Sequence, residues 1–207
     1  MSTRIKICGI TRGQDALMAA GLGAHAVGLM FYEDSPRFVS LDKAREVIEV
    51  LPPFVTRVGV FVNPEGQQVH AILGAVRLDL LQFHGDEPPQ FCAQFGMSYI
   101  KAVRVKQGLD LLQYASRYRD AKGLLLDAHN ASAYGGTGQA FDWNLIPGSL
   151  DLPIILSGGL NAANVARAIR QVRPWAVDVS SGVESAKGIK DADKIAAFVQ
   201  AVRNVKL

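Results

Sequence analysis

Cys8 ends the apolar run Arg4-Ile5-Lys6-Ile7-Cys8 and is followed at once by Gly9. A thiol ordinarily titrates near pH 8.5, close enough to neutrality for it to act as a base or a nucleophile. Cysteine also packs as a small hydrophobe, and both readings stay open for Cys8. Asp127 closes the run Leu124-Leu125-Leu126. An acid in that setting is partly desolvated, which favours the protonated form that donates a proton. The plainer reading of Asp127 is a helix cap or an ion pair. Arg37 follows Ser35-Pro36 in a polar loop, and its planar fork suits a carboxylate, although a solvated surface charge has the same pattern. His84 and Asp86 follow the run Leu78-Asp79-Leu80-Leu81-Gln82, and Asp178 sits in Ala176-Val177-Asp178-Val179.

Two glycine-bearing stretches add a second kind of chemistry. Ser157-Gly158-Gly159-Leu160-Asn161 joins the strand-length run Leu152-Pro153-Ile154-Ile155-Leu156 to the helically spaced 162–169. Ser180-Ser181-Gly182-Val183-Glu184 follows the next strand-length run. Glycines permit tight turns and close backbone approach, and a helix N-terminus offers free N–H groups to an anion. One such loop is only a turn; two in succession point to a phosphate site shared by these two loops. Tyr134-Gly135-Gly136-Thr137-Gly138 reads as a plain loop or as a lid. Cys92, in Gln90-Phe91-Cys92-Ala93, reads as helix packing. His25, His70 and His129 share no spacing that would pair them as ligands, so no metal is expected.

Strand-like and helix-like runs alternate along the whole chain, beginning with residues 4–8, 26–30, 56–62, 78–82, 98–103 and 123–127 before the two strands above. Helical spacing covers 14–20, 41–51, 65–74, 88–95, 109–118, 162–169 and 191–205, with Gly21 and Gly23, Pro52-Pro53 and Asp191 as stop and start signals. The weakest helix is Asp142-Trp143-Asn144-Leu145, barely one turn before Pro147. Eight short apolar strands in alternation imply a parallel sheet with right-handed crossovers. A single (β/α)8 TIM barrel over 1–207 accounts for all eight, with reactive groups at the C-terminal strand ends. An open doubly wound sheet is the structural rival, but the first strand lacks a Gly-x-Gly-x-x-Gly turn.

The 207 residues carry a net charge of only +3, with basic residues scattered, which gives no footprint for nucleic acid. No apolar run is long enough to span a bilayer, and the first residues lack a secretory apolar core, so a cytoplasmic protein is expected. Neither cysteine belongs to a Cys-x-x-Cys pair.

With these residues in view, the chain resembles the phosphoribosylanthranilate isomerase family over its full length. The resemblance is carried by Lys6-Ile7-Cys8-Gly9-Ile10-Thr11, Gln82-Phe83-His84-Gly85, Leu126-Asp127, Gly135-Gly136-Thr137-Gly138, Ser157-Gly158-Gly159-Leu160 and Asp178-Val179-Ser180-Ser181-Gly182-Val183-Glu184. Phe83 stands where that family commonly has leucine. The resemblance implies an Amadori rearrangement of an aminoaldose phosphate, in which the iminium nitrogen serves as electron sink and no cofactor is required. It implies Asp127 as general acid and Cys8 as general base. Arg37 would hold the anthranilate carboxylate, and Gly136, Gly158, Gly159, Ser180, Ser181 and Gly182 would supply the phosphate cradle. His84 lies in the pocket without a proton-transfer step assigned to it. Asp178 either contacts substrate or orders the loop after the eighth strand. The implied partner is a phosphorylated sugar, for a monomer or homodimer.

Three rival readings remain at this point. A barrel isomerase acting on a histidine-pathway aminoaldose would place aspartate where this chain has Cys8, and would show two similar halves. A non-catalytic phosphosugar-binding protein would explain the glycine loops but would not require Cys8 and Asp127 together. A cysteine-dependent redox sensor would leave the loops unexplained.

Overall fold

The computed structural model describes residues 3–128 and 141–206. Eight strands close into a parallel barrel in sequence order: β1 (Arg4–Cys8), β2 (Ala26–Met30), β3 (Thr56–Phe61), β4 (Leu80–Phe83), β5 (Tyr99–Val105), β6 (Leu124–Ala128), β7 (Ile154–Leu156) and β8 (Ala176–Val179). β8 pairs back onto β1, with Lys6 opposite Asp178, which excludes the open sheet. The helices are α1 (Gly13–Leu22), α2 (Leu41–Glu49), α3 (Gly66–Ala75), α4 (Pro89–Ala93), α5 (Leu111–Arg117), α6 (Val165–Val172) and α7 (Ala192–Arg203).

Local chemistry sets the helix ends. Gly23 takes φ of 109° and its N–H caps the carbonyls of Ala19 and Ala20, ending α1 as its sequence predicts. Asp191 accepts from Lys194 N and starts α7. Between β6 and β7 the described residues contain only a three-residue 3-10 turn, Trp143–Leu145, in agreement with the weak pattern there. Two features depart from the expected plan. α6 begins at Val165, six residues beyond Gly159, because Asn161 and Asn164 spend their side chains on loop N–H and carbonyl groups. After β8 the chain makes a 3-10 turn, Ser181–Val183, and then an antiparallel hairpin of β9 (Glu184–Ala186) and β10 (Ile189–Lys190) that periodicity did not anticipate.

Strand alternation divides the core. Ile5, Ile7, Leu81, Phe83, Leu124, Leu126 and Val177 point outward and pack beneath the helices, with Cys92 of α4 among them. Phe83 meets the rings of Phe61, Phe91, Phe95 and Tyr99, with centroids within 6.0 Å, so the residue that departs from the family habit fills an aromatic cluster. Inside the barrel a lower plug of Ile100, Ala102, Leu125, Ile155 and Ala176 supports the polar end above it. Each of the larger side chains so buried contributes about 1.5–3 kcal/mol.

Candidate active site

Lys6 and Cys8 are two apart on β1 and therefore share its inward face, above the apolar plug. Lys6 is buried, and its Nζ lies 2.9 Å from Asp178 Oδ1 on β8. Ser157 Oγ, at the end of β7, donates to the other Asp178 oxygen at 3.3 Å. Gly28 on β2 leaves the space these groups occupy: a Cβ there would stand 2.7 Å from Cys8 Sγ and 3.2 Å from Lys6 Nζ. Burial pushes the Cys8 thiol above its ordinary pKa, against the pull of the Lys6 ammonium.

Across the barrel mouth Asp127 is the penultimate residue of β6. Its Oδ1 accepts from Ala128 N at 2.8 Å, and its Oδ2 lies 3.1 Å from His84 Nε2. His84 Nδ1 in turn meets Gln82 Nε2 at 2.9 Å. With the Gln82 amide donating, the ring proton sits on Nε2 and is directed at Asp127. Gln82 Oε1 is buried and has no partner among the described residues. The loop carrying His84 is clamped from outside the barrel. Lys101, fully buried, donates to the carbonyls of Phe83 and Gly85 and to Glu87 Oε2. Glu87 accepts from the N–H groups of Asn63 and Gly85.

The two glycine-bearing loops meet this floor. Gly158 takes φ of 83°, and a Cβ on it would stand 2.7 Å from Ala128 N and 3.1 Å from Asp127 Oδ1. A Cβ on Gly182 would strike the carbonyl oxygen of Leu160, so the loops after β7 and β8 lie against each other. Gly159 also has positive φ. A Cβ on Gly9, just after Cys8, would strike Arg37 Cδ and stand 3.1 Å from Ser180 Oγ. Arg37 therefore lies over the end of β1, with Nε and Nη2 each 2.8 Å from a Glu184 oxygen. Lys190 bonds the same carboxylate at 2.8 Å and the carbonyl of Ser180 at 3.2 Å. Burial pushes the Glu184 carboxyl up, but Arg37 and Lys190 outweigh it and hold it below the usual range. The β9–β10 hairpin is tied down by Thr11 Oγ1, which donates to Gly188 O, and by Asp15, which accepts from Lys190 N.

The structure thus gathers Cys8, Arg37, His84, Asp127, Asp178, Gly158, Gly159, Ser180, Ser181 and Gly182 at the C-terminal end of one barrel. Gly136 and the rest of Tyr134–Gly138 lie outside the described residues. Asp86 is turned to Arg104 instead. Among the described residues no group of three or more His, Cys, Asp or Glu side chains could hold a metal ion. Sequence reading passed over Lys101 and Lys190, and took Lys6, Gln82 and Glu184 only as parts of motifs. The signal for Lys6 and Gln82 was present: each is a polar residue at an inward-facing position two before a candidate site residue.

Two comparisons decide the family. The model for N-(5'-phosphoribosyl)anthranilate (PRA) isomerase matches residues 5–201. The N-(5'-phosphoribosyl)anthranilate isomerase of Nitrosospira multiformis is 62% identical over 202 residues, covering 98% of this chain and 97% of that protein. The chain belongs to the phosphoribosylanthranilate isomerase family. As a phosphoribosylanthranilate isomerase it is an enzyme of tryptophan biosynthesis, which sets aside the binding-protein, redox-sensor and histidine-pathway readings. A crystal structure of the isomerase from Thermotoga maritima superposes with a TM-score of 0.89 at 44% identity, covering 97% of this chain and 98% of that one. Another isomerase structure, solved in complex with reduced 1-(o-carboxyphenylamino)-1-deoxyribulose 5-phosphate, has a TM-score of 0.82 at 41% identity and the same coverage.

Proposed function

We propose that this isomerisation runs by general acid/base catalysis between Cys8 and Asp127 in a single barrel domain. Asp127 protonates the furanose ring oxygen of N-(5-phosphoribosyl)anthranilate, and the ring opens to a Schiff base. Cys8 removes the proton from C2 of the sugar. The enolamine tautomerises to the ketone, giving 1-(2-carboxyphenylamino)-1-deoxyribulose 5-phosphate. The iminium nitrogen accepts the electron pair, so the scheme calls on no cofactor or metal.

The observation that carries this reading is the shared floor: Cys8 and Asp127 occupy inward-facing positions at the C-terminal ends of β1 and β6, Gly9 next to Cys8 packs toward Ser180 of the loop after β8, and Gly158 of the loop after β7 packs against Asp127. The phosphate is held by Gly158, Gly159, Ser180, Ser181 and Gly182, with Gly136 from the segment outside the described residues. That grip is remote from C2, so it orients the sugar. Arg37 binds the anthranilate carboxylate; its Nε and Nη2 are spent on Glu184, leaving Nη1 for the ligand. His84 faces the substrate beside Asp127 and orients that carboxyl. Asp178 spends both oxygens on Lys6 and Ser157, which supports the ordering role over direct substrate contact.

The partner is the phosphorylated sugar, with neither nucleic acid nor membrane. No helix among the described residues is long and apolar enough to cross a membrane. The enzyme works in the cytoplasm as a monomer or homodimer; the Thermotoga maritima isomerase is itself dimeric. A fluorescence assay tests the reading: phosphoribosylanthranilate is generated in situ and its disappearance followed with enzyme, with and without exhaustive chelation. Conversion that survives chelation is expected, and loss on chelation would overturn the metal-free scheme.

A further inference from the structure

Lys6 is left unused by this scheme, yet the residue is only 5% exposed inside the barrel, where burying a charge is costly. Asp178 at 2.9 Å compensates it, and Ser157 braces Asp178. The ammonium also crowds the catalytic sulfur, since both groups press on the single point above Gly28 that a side chain would otherwise fill.

We propose that Lys6 is the counter-ion of the Cys8 thiolate and that Asp178 is the positioning residue that holds Lys6 beside the sulfur. The inference rests on Cys8 being the base. Proton removal from C2 needs the thiolate. The thiol releases its proton to solvent, the thiolate takes the C2 proton and becomes a thiol again, and no other bond to sulfur forms.

Burial works against that thiolate, as does the Asp178 carboxylate. The charged groups facing the sulfur are Lys6 on its own strand, Asp178 on β8, Lys190 on β10 and Arg37 after β2. Gly28 and Met30 on β2 and Val58 and Val60 on β3 bring no charge. Lys6 is first among the groups that favour the charged sulfur, and Asp178 opposes it. The rival account makes Lys6 nothing more than the neutraliser of Asp178. The two accounts part when both charges are removed together.

The test is the pH dependence of Cys8 alkylation by iodoacetamide, read by peptide mass mapping, in Lys6→Met, Asp178→Asn and the double variant. Cys92 does not compete, being fully buried and pushed up to about 12. The expected midpoint rises by about one unit or more in Lys6→Met, so alkylation near neutral pH slows about tenfold. It falls in Asp178→Asn, and in the double variant it stays above wild type. An unshifted midpoint in Lys6→Met, or a wild-type midpoint in the double variant, overturns the proposal. The double variant leaves no unpaired buried charge, so it carries the test if Lys6→Met does not fold. Turnover in Cys8→Ala separates the two layers. Wild-type turnover there removes the general base and leaves the midpoint result standing. Dead Cys8→Ala with unshifted midpoints removes only the counter-ion.

Discussion

Arg37 and Glu184 are locked by two parallel hydrogen bonds of 2.8 Å, Nε to Oε1 and Nη2 to Oε2, between residues 147 positions apart in the chain. Such a fork fixes the guanidinium plane as well as its place. Glu184→Gln removes the charge from one side of it. KM for phosphoribosylanthranilate should rise about tenfold with a smaller fall in kcat, because charge-assisted bonds are worth about 1.5–3 kcal/mol. Steady-state kinetics check this; an unchanged KM with a collapsed kcat would contradict Arg37 as the carboxylate anchor.

The same carboxylate should shape acid stability. The folded Glu184 pKa is depressed, so its contribution is fully present above the ordinary carboxyl value of about 4.3 and is lost as pH falls through the lower folded value. Glu184→Gln should therefore unfold at lower urea than wild type at pH 7, and the gap should narrow as the pH approaches 3. A gap independent of pH would speak against this linkage.

Replacing the two proposed proton-transfer groups should nearly abolish chemistry while sparing binding. Cys8→Ala and Asp127→Asn should each lower kcat by about 10²- to 10⁴-fold. Calorimetric affinity for a reduced product analogue should change little. Undiminished turnover in either variant would remove that residue from the scheme.

Gly158→Ala tests the junction between Asp127 and the loop proposed to hold the phosphate. The added Cβ meets Ala128 N at 2.7 Å in a backbone with φ of 83°, so the loop must shift away from Asp127. A strain of about 1–3 kcal/mol is expected, read as weaker inorganic phosphate binding together with a lower kcat. Full activity and phosphate affinity would show that the two loops are not coupled through this glycine.

Lys101→Met leaves the buried Glu87 carboxylate without its counter-ion beneath the His84 loop, held only by backbone N–H groups. Unfolding free energy should drop by about 3–5 kcal/mol. Denaturant titration measures it, and Lys101→Met combined with Glu87→Gln should recover part of the loss. A single variant as stable as wild type would mean that the pair does not hold the loop.

Much of this enzyme is written along the chain. Short apolar strands alternating with capped helices specify the barrel, because strand burial, capping and glycine conformations are local properties. Cys8 and Asp127 were legible for the same reason: a polar residue closing an apolar strand has few places to go in a parallel barrel. The glycine loops after β7 and β8 were legible as a pair, though not the Asn161–Asn164 turns that delay α6. What the tertiary structure decided were the partnerships. Lys6 finds Asp178 only because β8 closes onto β1, and Arg37 finds Glu184 only because the β9–β10 hairpin folds back over the barrel mouth. Periodicity reports which face of an element a residue occupies; it carries no information on which distant charge shares that face. Those pairings set the electrostatics around the Cys8 thiol and the Arg37 guanidinium, and closure of the barrel is the physical event that creates them.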